Sequence, residues 1–516
     1  MKKTKKIILT SIAFCFLALL SCSEEFTTNP EPNAEDLETF FVDEANVDAA
    51  VIGIYDLLQH NNASVWNSAF FLKVLPGDAS NCAGGNKDDQ PQLQDIDDYV
   101  NVTSSNASIA SVWDLYYRMI ALSNLVIENV QDSNLSNRDD ALAQAKFFRA
   151  YGYFELTTMF GDIPLTLNVP AGAEDFSIPK SPRSAIYAQV EADLTDAIAG
   201  LSDKSAIEAF RVSKGTAQAL MGKVMVFQGK YGPAIPFFEA VINNPSHDLE
   251  PNVADVWSVG SEFGIESLLE VGYVSTEQVD WGNINWGGRV ESNLHIQLMG
   301  PRGDGIFDVT GTGLLNGWGF NLPTAKIVNA FDAAGDTERK AATLLTEAEL
   351  IALGGGVDQT KATGGAVWDY EGAIRMKYGS KAEDTSEGGV RELNYTTNYR
   401  LLRYAEVLLL AAEAYNKNSQ DGLARTQINK VRNRAGLADL DASLSGDALF
   451  DAMVNEKFLE LAHEGQRFWD LVRWGRAATE LAGTGYTSKN DLFPIPLTEI
   501  DKNGALSQED QNPGYN

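Results

Sequence analysis

Apolar residues recur with a helical period in several separate stretches of this chain. Val47, Ala50, Val51, Ile54, Tyr55 and Leu58 share one i, i+3, i+4, i+7 face, with Asp48, Asp56 and Gln59 opposite. That pattern predicts a first helix with one side turned to a core. The same period returns, dense in aromatic residues, from Trp113 to Asn129 and from Asp140 to Phe160, where Gly161-Asp162-Ile163-Pro164 stops it. Two further helices are predicted there, antiparallel to each other. From Leu220 to Ile242, Gly222, Gly229, Tyr231, Ala234 and Phe238 occupy the small, turn and wedge positions of a tetratricopeptide helix pair, in which small residues let two helices approach and an aromatic fills the gap. Tyr404 to Val431 repeats the pattern more loosely, with Ala412, Tyr415, Ala424 and Ile428 in register across a turn at Asn416 to Gly422. The copies are too far apart for a tandem array, so the pattern is that of a helical scaffold with other material inserted.

The inserted stretch differs in character. Between 251 and 390 glycine is frequent, the helical period fades except from Thr324 to Ala334, and Trp257, Trp281, Trp286, Trp318 and Trp368 all occur. Long non-periodic segments on a rigid frame are usually functional loops. The expected fold is mainly α, with tetratricopeptide-like helix pairs as scaffold and a loop-rich irregular half carrying the binding site. Its expected divisions are 36–250 for the N-terminal helical scaffold, 251–390 for the loop-rich region and 391–516 for the C-terminal tetratricopeptide-like pair and closing segment.

The first 35 residues follow other rules. Lys2, Lys3, Lys5 and Lys6 precede an apolar run from Ile7 to Leu20 that ends at Leu19-Leu20-Ser21-Cys22. This predicts a bacterial lipoprotein signal over 1–21, with Cys22 lipidated as the first mature residue. The run is shorter than the roughly 20 residues that span a bilayer as a helix, so the chain is expected to hang from lipid. Residues 22–35, with Asn29-Pro30-Glu31-Pro32-Asn33, read as a flexible tether.

The formal charge is −31, and removing four signal lysines leaves the mature chain near −35. Such a surface disfavours nucleic acid and acidic polymers and suits a neutral or cationic ligand. Of three cysteines only Cys82 lies in the folded part, which excludes an intramolecular disulfide and suggests a small buried residue.

Catalytic motifs are missing. Gly222-Lys223 has Ala217 where a phosphate loop needs glycine, and Gly311-x-Gly313 ends on Asn316 where a dinucleotide fingerprint needs glycine. His60, His247, His295 and His463 form no metal-binding pair, and neither a metal nor a cofactor is implied. The acidic run Asp88, Asp89, Asp95, Asp97, Asp98 lacks the spacing of a calcium hand and reads as a solvated loop. Arg302-Gly303-Asp304 reads as a polar turn. A pair of carboxylates able to hydrolyse a glycoside cannot be identified from spacing.

The stretch Asp280-Trp281-Gly282-Asn283-Ile284-Asn285-Trp286-Gly287-Gly288-Arg289 is more telling. A sugar offers an apolar C–H face and a rim of hydroxyls. An indole covers the first, and Asp, Asn and Arg exchange hydrogen bonds with the second. Trp281 and Trp286 are therefore the expected stacking residues, with Asp280, Asn283, Asn285 and Arg289 fixing orientation. The alternative for each indole is that it pins the loop to the scaffold. Trp66, Trp318, Asn316 and Asn321 are secondary candidates, whereas Trp113, Trp469 and Trp474 lie on helical faces and are expected in the core.

Several longer motifs point together to one family. They are Trp113-x-x-Tyr116-Tyr117 running to Asn124; Ala145-Lys146-Phe147-Phe148-Arg149-Ala150-Tyr151; Phe160-Gly161-Asp162-Ile163-Pro164-Leu165; Arg403-Tyr404-Ala405-Glu406; Ile428-Asn429-Lys430-Val431-Arg432-Asn433-Arg434-Ala435-Gly436; Glu464-Gly465-x-Arg467-Phe468-Trp469-Asp470; and Gln511-Asn512-Pro513-Gly514-Tyr515. With these the chain resembles the SusD/RagB family, the surface glycan-binding lipoproteins of Bacteroidetes. The resemblance implies four tetratricopeptide-like pairs, no catalysis, capture of a polysaccharide or oligosaccharide, and a TonB-dependent SusC-like transporter as partner at the outer membrane, facing the cell exterior. A neutral glycan such as the β-glucan laminarin is the first expectation. A glycoside hydrolase and a structural transporter lid or adhesin remain the alternatives. Glu456, Glu460 and Glu464 recur every fourth residue and are expected to pair with Arg467 or Arg473.

Overall fold

The computed structural model describes residues 37–515 apart from 64, 171, 285–289 and 387. The signal, Cys22 and the tether lie outside the described residues, as do Asn285, Trp286 and Arg289.

Among the described residues nine helices form a row in which each packs on the next: α1 (Glu44–Asn62), α2 (Ala107–Val130), α3 (Arg138–Phe160), α4 (Arg183–Gly200), α5 (Lys214–Phe227), α6 (Tyr231–Ile242), α7 (Tyr404–Lys417), α8 (Asp421–Arg434) and α9 (Gly446–Glu460). The mainly α fold anticipated from periodicity is therefore present. Asp43 caps α1 by accepting the Ala45 and Asn46 amides, and Ser213 with Thr216 closes a reciprocal cap on α5. Helix α3 stops at Gly161, whose φ of 79° disfavours other residues.

Inside the tetratricopeptide-like pair α5–α6, a Cβ at Gly222 would lie 2.5 Å from the Phe238 ring. The ring fills the space that glycine leaves open, which is the physical content of the small and wedge positions. Although separated in sequence, α6 and α7 are neighbours, and Tyr415 donates to Glu239 Oε1 across the junction at 2.8 Å. The two repeats are thus consecutive in space.

Between α6 and α7 the chain leaves the row and returns through an antiparallel strand pair. Strand β2 (Ser267–Val271) pairs with β4 (Tyr399–Arg403), placing Val271 opposite Tyr399 and Ser267 opposite Arg403. A second small ladder ties the excursion to the N-terminal scaffold: β1 (Ser80–Ala83) pairs with β3 (Phe320–Pro323), Ala83 opposite Phe320. The helix anticipated over 324–334 spans Ala325–Ala334, between a Thr324 cap and a left-handed Gly335.

A buried ionic cluster joins the base of this excursion to α8 and α9. Arg403 donates to Glu266 Oε1 at 2.7 Å, to Glu460 Oε1 at 2.6 Å and to both oxygens of Glu464. Arg339 meets Glu456 and Glu460, and Lys377 meets Glu464, all with buried side chains. This corrects the pairing expected from the four-residue spacing. Arg467 binds Asp78, and Arg473 binds Glu413 and Asp470. The reason lies in the turn: α9 ends at Glu460, and Gly465 at φ 77° redirects the chain before Arg467.

Trp113 and Trp469 are buried, as expected, and Trp257 joins them beneath the Lys377 ammonium at 4.2 Å. Cys82 is a buried free thiol, pushed well above its ordinary pKa by burial and by Asp97. The acidic run is a solvated loop only in its first part, where Asp88 is exposed in a turn. Pro91–Asp97 is helical, and Asp97 Oδ2 accepts the Cys82 amide at 2.6 Å.

Candidate functional site

Three loops from distant parts of the chain bring Trp66, Trp281 and Trp318 together. Trp318 stacks with Trp281, the rings parallel within 6° and their centroids 6.5 Å apart. It also stacks with Trp66 at 5.4 Å and 25°. Beneath them Trp66 contacts Phe320 at 5.1 Å, and Phe320 contacts the wholly buried Phe71. An aromatic series therefore runs from the core to the surface, where Trp281 keeps 53% of its area exposed. A large exposed indole on a rigidly backed series is a surface prepared for an apolar ligand face.

Each loop is held by the backbone. Trp66 follows Val65, which adopts φ 46°, a conformation that β-branched residues rarely occupy. The Val65 carbonyl accepts from the buried His295 Nε2 at 2.8 Å. Burial pushes His295 down to about 3, so its ring is neutral with the proton on Nε2. Trp318 sits in a tighter cradle: Gly317 N donates to Pro301 O at 2.7 Å, Trp318 N to Gln297 O at 3.1 Å and Gly319 N to Gly300 O at 2.8 Å. A Cβ at Gly317 would run into the Gln297 carbonyl and lie 2.6 Å from Gly300 Cα, so only glycine fits. The Trp281 loop is gripped at its root by buried Asn394, which accepts from Val279 N at 2.9 Å and donates to Val279 O at 2.7 Å.

The polar candidates divide. Asp280 Oδ1 accepts the Gly282 and Asn283 amides at 2.7 and 3.0 Å, and Asn283 Oδ1 accepts the Asp280 amide at 2.6 Å. These oxygens shape the turn that presents Trp281. Asn316 donates to Phe307 O at 2.9 Å and braces the Trp318 loop from behind. Asn321 is not a surface contact: it is buried, with Nδ2 on Met299 Sδ and Oδ1 facing His463 Nδ1 at 3.2 Å. Its φ of 57°, which asparagine tolerates, explains why that residue type stands there. Among the described residues no group of three or more His, Cys, Asp or Glu is arranged to hold a metal ion.

Sequence reasoning missed Phe320, Asn394 and the glycines of the cradle. The Gly317-Trp318-Gly319 triplet was the available signal, since glycines on both sides of an indole permit close backbone approach.

Two family models match the chain, one described as "SusD family" over residues 358–490 and one as "Starch-binding associating with outer membrane" over residues 30–226. The SusD-like protein P2 of Formosa agariphila is 27% identical over an alignment 544 positions long, which covers 99% of this chain and 100% of that protein. A solved structure described as a laminarin binding SusD-like protein superposes with a TM-score of 0.80 at 29% identity, covering 92% of this chain and 100% of the other. Surface glycan-binding protein A from Bacteroides thetaiotaomicron, in complex with laminarihexaose, shares the fold with a TM-score of 0.76 at 23% identity, covering 91% of this chain and 99% of the other.

Proposed function

Because the chain belongs to the SusD family, whose members bind carbohydrate without catalysis, we propose that it captures a neutral glycan on the Trp281–Trp318–Trp66 stack at the outer membrane. The observation that carries this reading is the exposed Trp281 ring held parallel to Trp318. Flat rings match the C–H faces of successive pyranoses, and a rigid backing keeps the entropic cost of binding low. Asp280, Asn283 and Asn316 act by positioning the loops, and Trp286, Asn285 and Arg289 remain candidate contacts on sequence grounds. The net charge of −31 favours an uncharged ligand. A β-glucan such as laminarin is the specific candidate, supported by the laminarin-binding relative at 29% identity. Lipid on Cys22 anchors the protein facing outward, and the captured glycan passes to a TonB-dependent SusC-like transporter.

Electrophoresis through native gels containing laminarin tests the proposal. The signal-free protein should be retarded, Trp281→Ala should migrate as in a glycan-free gel, and no new reducing ends should form on incubation. Equal mobility of the parent protein with and without every neutral glycan in a panel would refute it.

A further inference from the structure

The Arg302-Gly303-Asp304 turn and the loop bearing Asp89 meet beside the aromatic stack. Arg302 Nη1 donates to the Trp318 carbonyl at 3.1 Å. Its guanidinium lies 3.2 Å from Asp304 Oδ2 and 3.6 Å from Asp89 Oδ2, with the Arg302 side chain 24% and that of Asp304 73% exposed. Asp89 is fixed in turn by the Gly85 amide at 2.8 Å. Gly84 and Gly85 permit this approach: a Cβ on Gly84 would lie 2.7 Å from Phe320, and one on Gly85 3.0 Å from Asp89 Oδ2 and 3.1 Å from Arg302 Nη2. One loop thus touches both the ring beneath Trp66 and the arginine beside Trp318.

We infer that Arg302, Asp89 and Asp304 form the polar rim of this site and select for sugars whose adjacent hydroxyls are unsubstituted. The inference rests on the proposed role of the indole stack. A hydroxyl both donates and accepts, so neighbouring hydroxyls can accept from the guanidinium while donating to the flanking carboxylates. A sulfate or uronate could only accept, and would meet two carboxylates around a single cation. The rim converts the overall acidity of the chain into a local discrimination at the point of contact. Its geometry is that of one guanidinium tied to the Trp318 carbonyl and flanked by two carboxylates at 3.2 and 3.6 Å.

Calorimetric titration with a neutral β-glucan oligosaccharide and its sulfated derivative tests this. The parent protein should bind the neutral form at least about 10-fold tighter, and Asp304→Asn should narrow that ratio about 5-fold by removing one exposed repelling charge. Asp304 is exposed, so its substitution leaves the core intact, and Asp89→Asn provides the second variant. Equal affinity of the parent protein for both forms, or an unchanged ratio in both variants, overturns the rim while leaving the stack intact. Absence of binding to either form, in parent protein and variants alike, overturns the stack reading and the rim with it.

Discussion

Replacing Gly317 by alanine removes no aromatic ring and yet should abolish most glycan affinity. The added Cβ would be driven into the Gln297 carbonyl and would stand 2.6 Å from Gly300 Cα, whereas ordinary contact begins at 3.4 Å. Relief requires the Trp318 loop to move by about 1 Å, and that movement strains the three hydrogen bonds from Gly317, Trp318 and Gly319. Losing two of them costs about 1–3 kcal/mol locally, while the helical row is untouched. The Trp318 ring, parallel within 6° to Trp281, leaves its register. Displacing a central aromatic residue from a binding surface costs on the order of 2 kcal/mol, which is about 30-fold in Kd. Calorimetric titration with laminarin oligosaccharides measures that loss, and circular dichroism confirms the helical content. A Gly317→Ala protein that is folded and binds with parental affinity would refute the argument that the cradle positions the site.

Other consequences concern the frame. Arg403→Met removes the guanidinium shared by Glu460, Glu464 and Glu266, leaving these buried carboxylates only their remaining cations, and should lower unfolding free energy by about 3 kcal/mol; a loss below about 1 kcal/mol in urea would contradict the role given to the cluster. Burial alone would raise the Glu460 carboxyl, but Arg434, Arg403 and Arg339 hold it well below the usual range. Its stabilising contribution is therefore complete above the unfolded value near 4.5 and fades as pH falls through the folded value, so the destabilisation caused by Glu460→Gln should shrink in acid; a pH-independent difference in urea melts would count against this. Asp369 is pushed up to about 6 by burial and by Asp98. Its folded form holds the proton more tightly than the unfolded chain, so stability from this group is present below about 4 and lost as pH rises through about 6. Asp369→Asn should be more stable than the parent protein at pH 8 by about 1 kcal/mol after allowance for solvent screening, with no advantage at pH 4; thermal melts at the two pH values decide it.

What could be read from sequence was what is encoded locally. The Gly222 and Phe238 offsets describe one helix pair, and the side chains that meet there are the ones whose spacing announced it. Trp66, Trp281 and Trp318 could be nominated singly, because an indole in a polar glycine-rich loop is conspicuous wherever it falls. Their meeting depends on the β1–β3 ladder and on buried Asn394, neither of which leaves a periodic trace. The partners of Glu460 were illegible for a related reason: Gly465 ends the helical spacing on which the expected pairing depended. The Arg302-Gly303-Asp304 turn looked inert because its relation to Asp89 is set by contacts between remote loops. Asp280 could have been read as a turn former, since a short carboxylate ahead of glycine and asparagine commonly accepts backbone amides.

The central claim is that a saccharide lies against Trp281, Trp318 and Trp66. Hydroxyl-radical footprinting of the signal-free protein, with and without saturating laminarin oligosaccharide, addresses it directly because oxidation is read at each indole. Protection should be greatest at the 53%-exposed Trp281 and should extend to Trp318 and Trp66, with the core residues Trp113 and Trp469 unchanged. Protection confined to another surface, with Trp281 oxidised equally in both samples while the oligosaccharide is bound, would contradict the account.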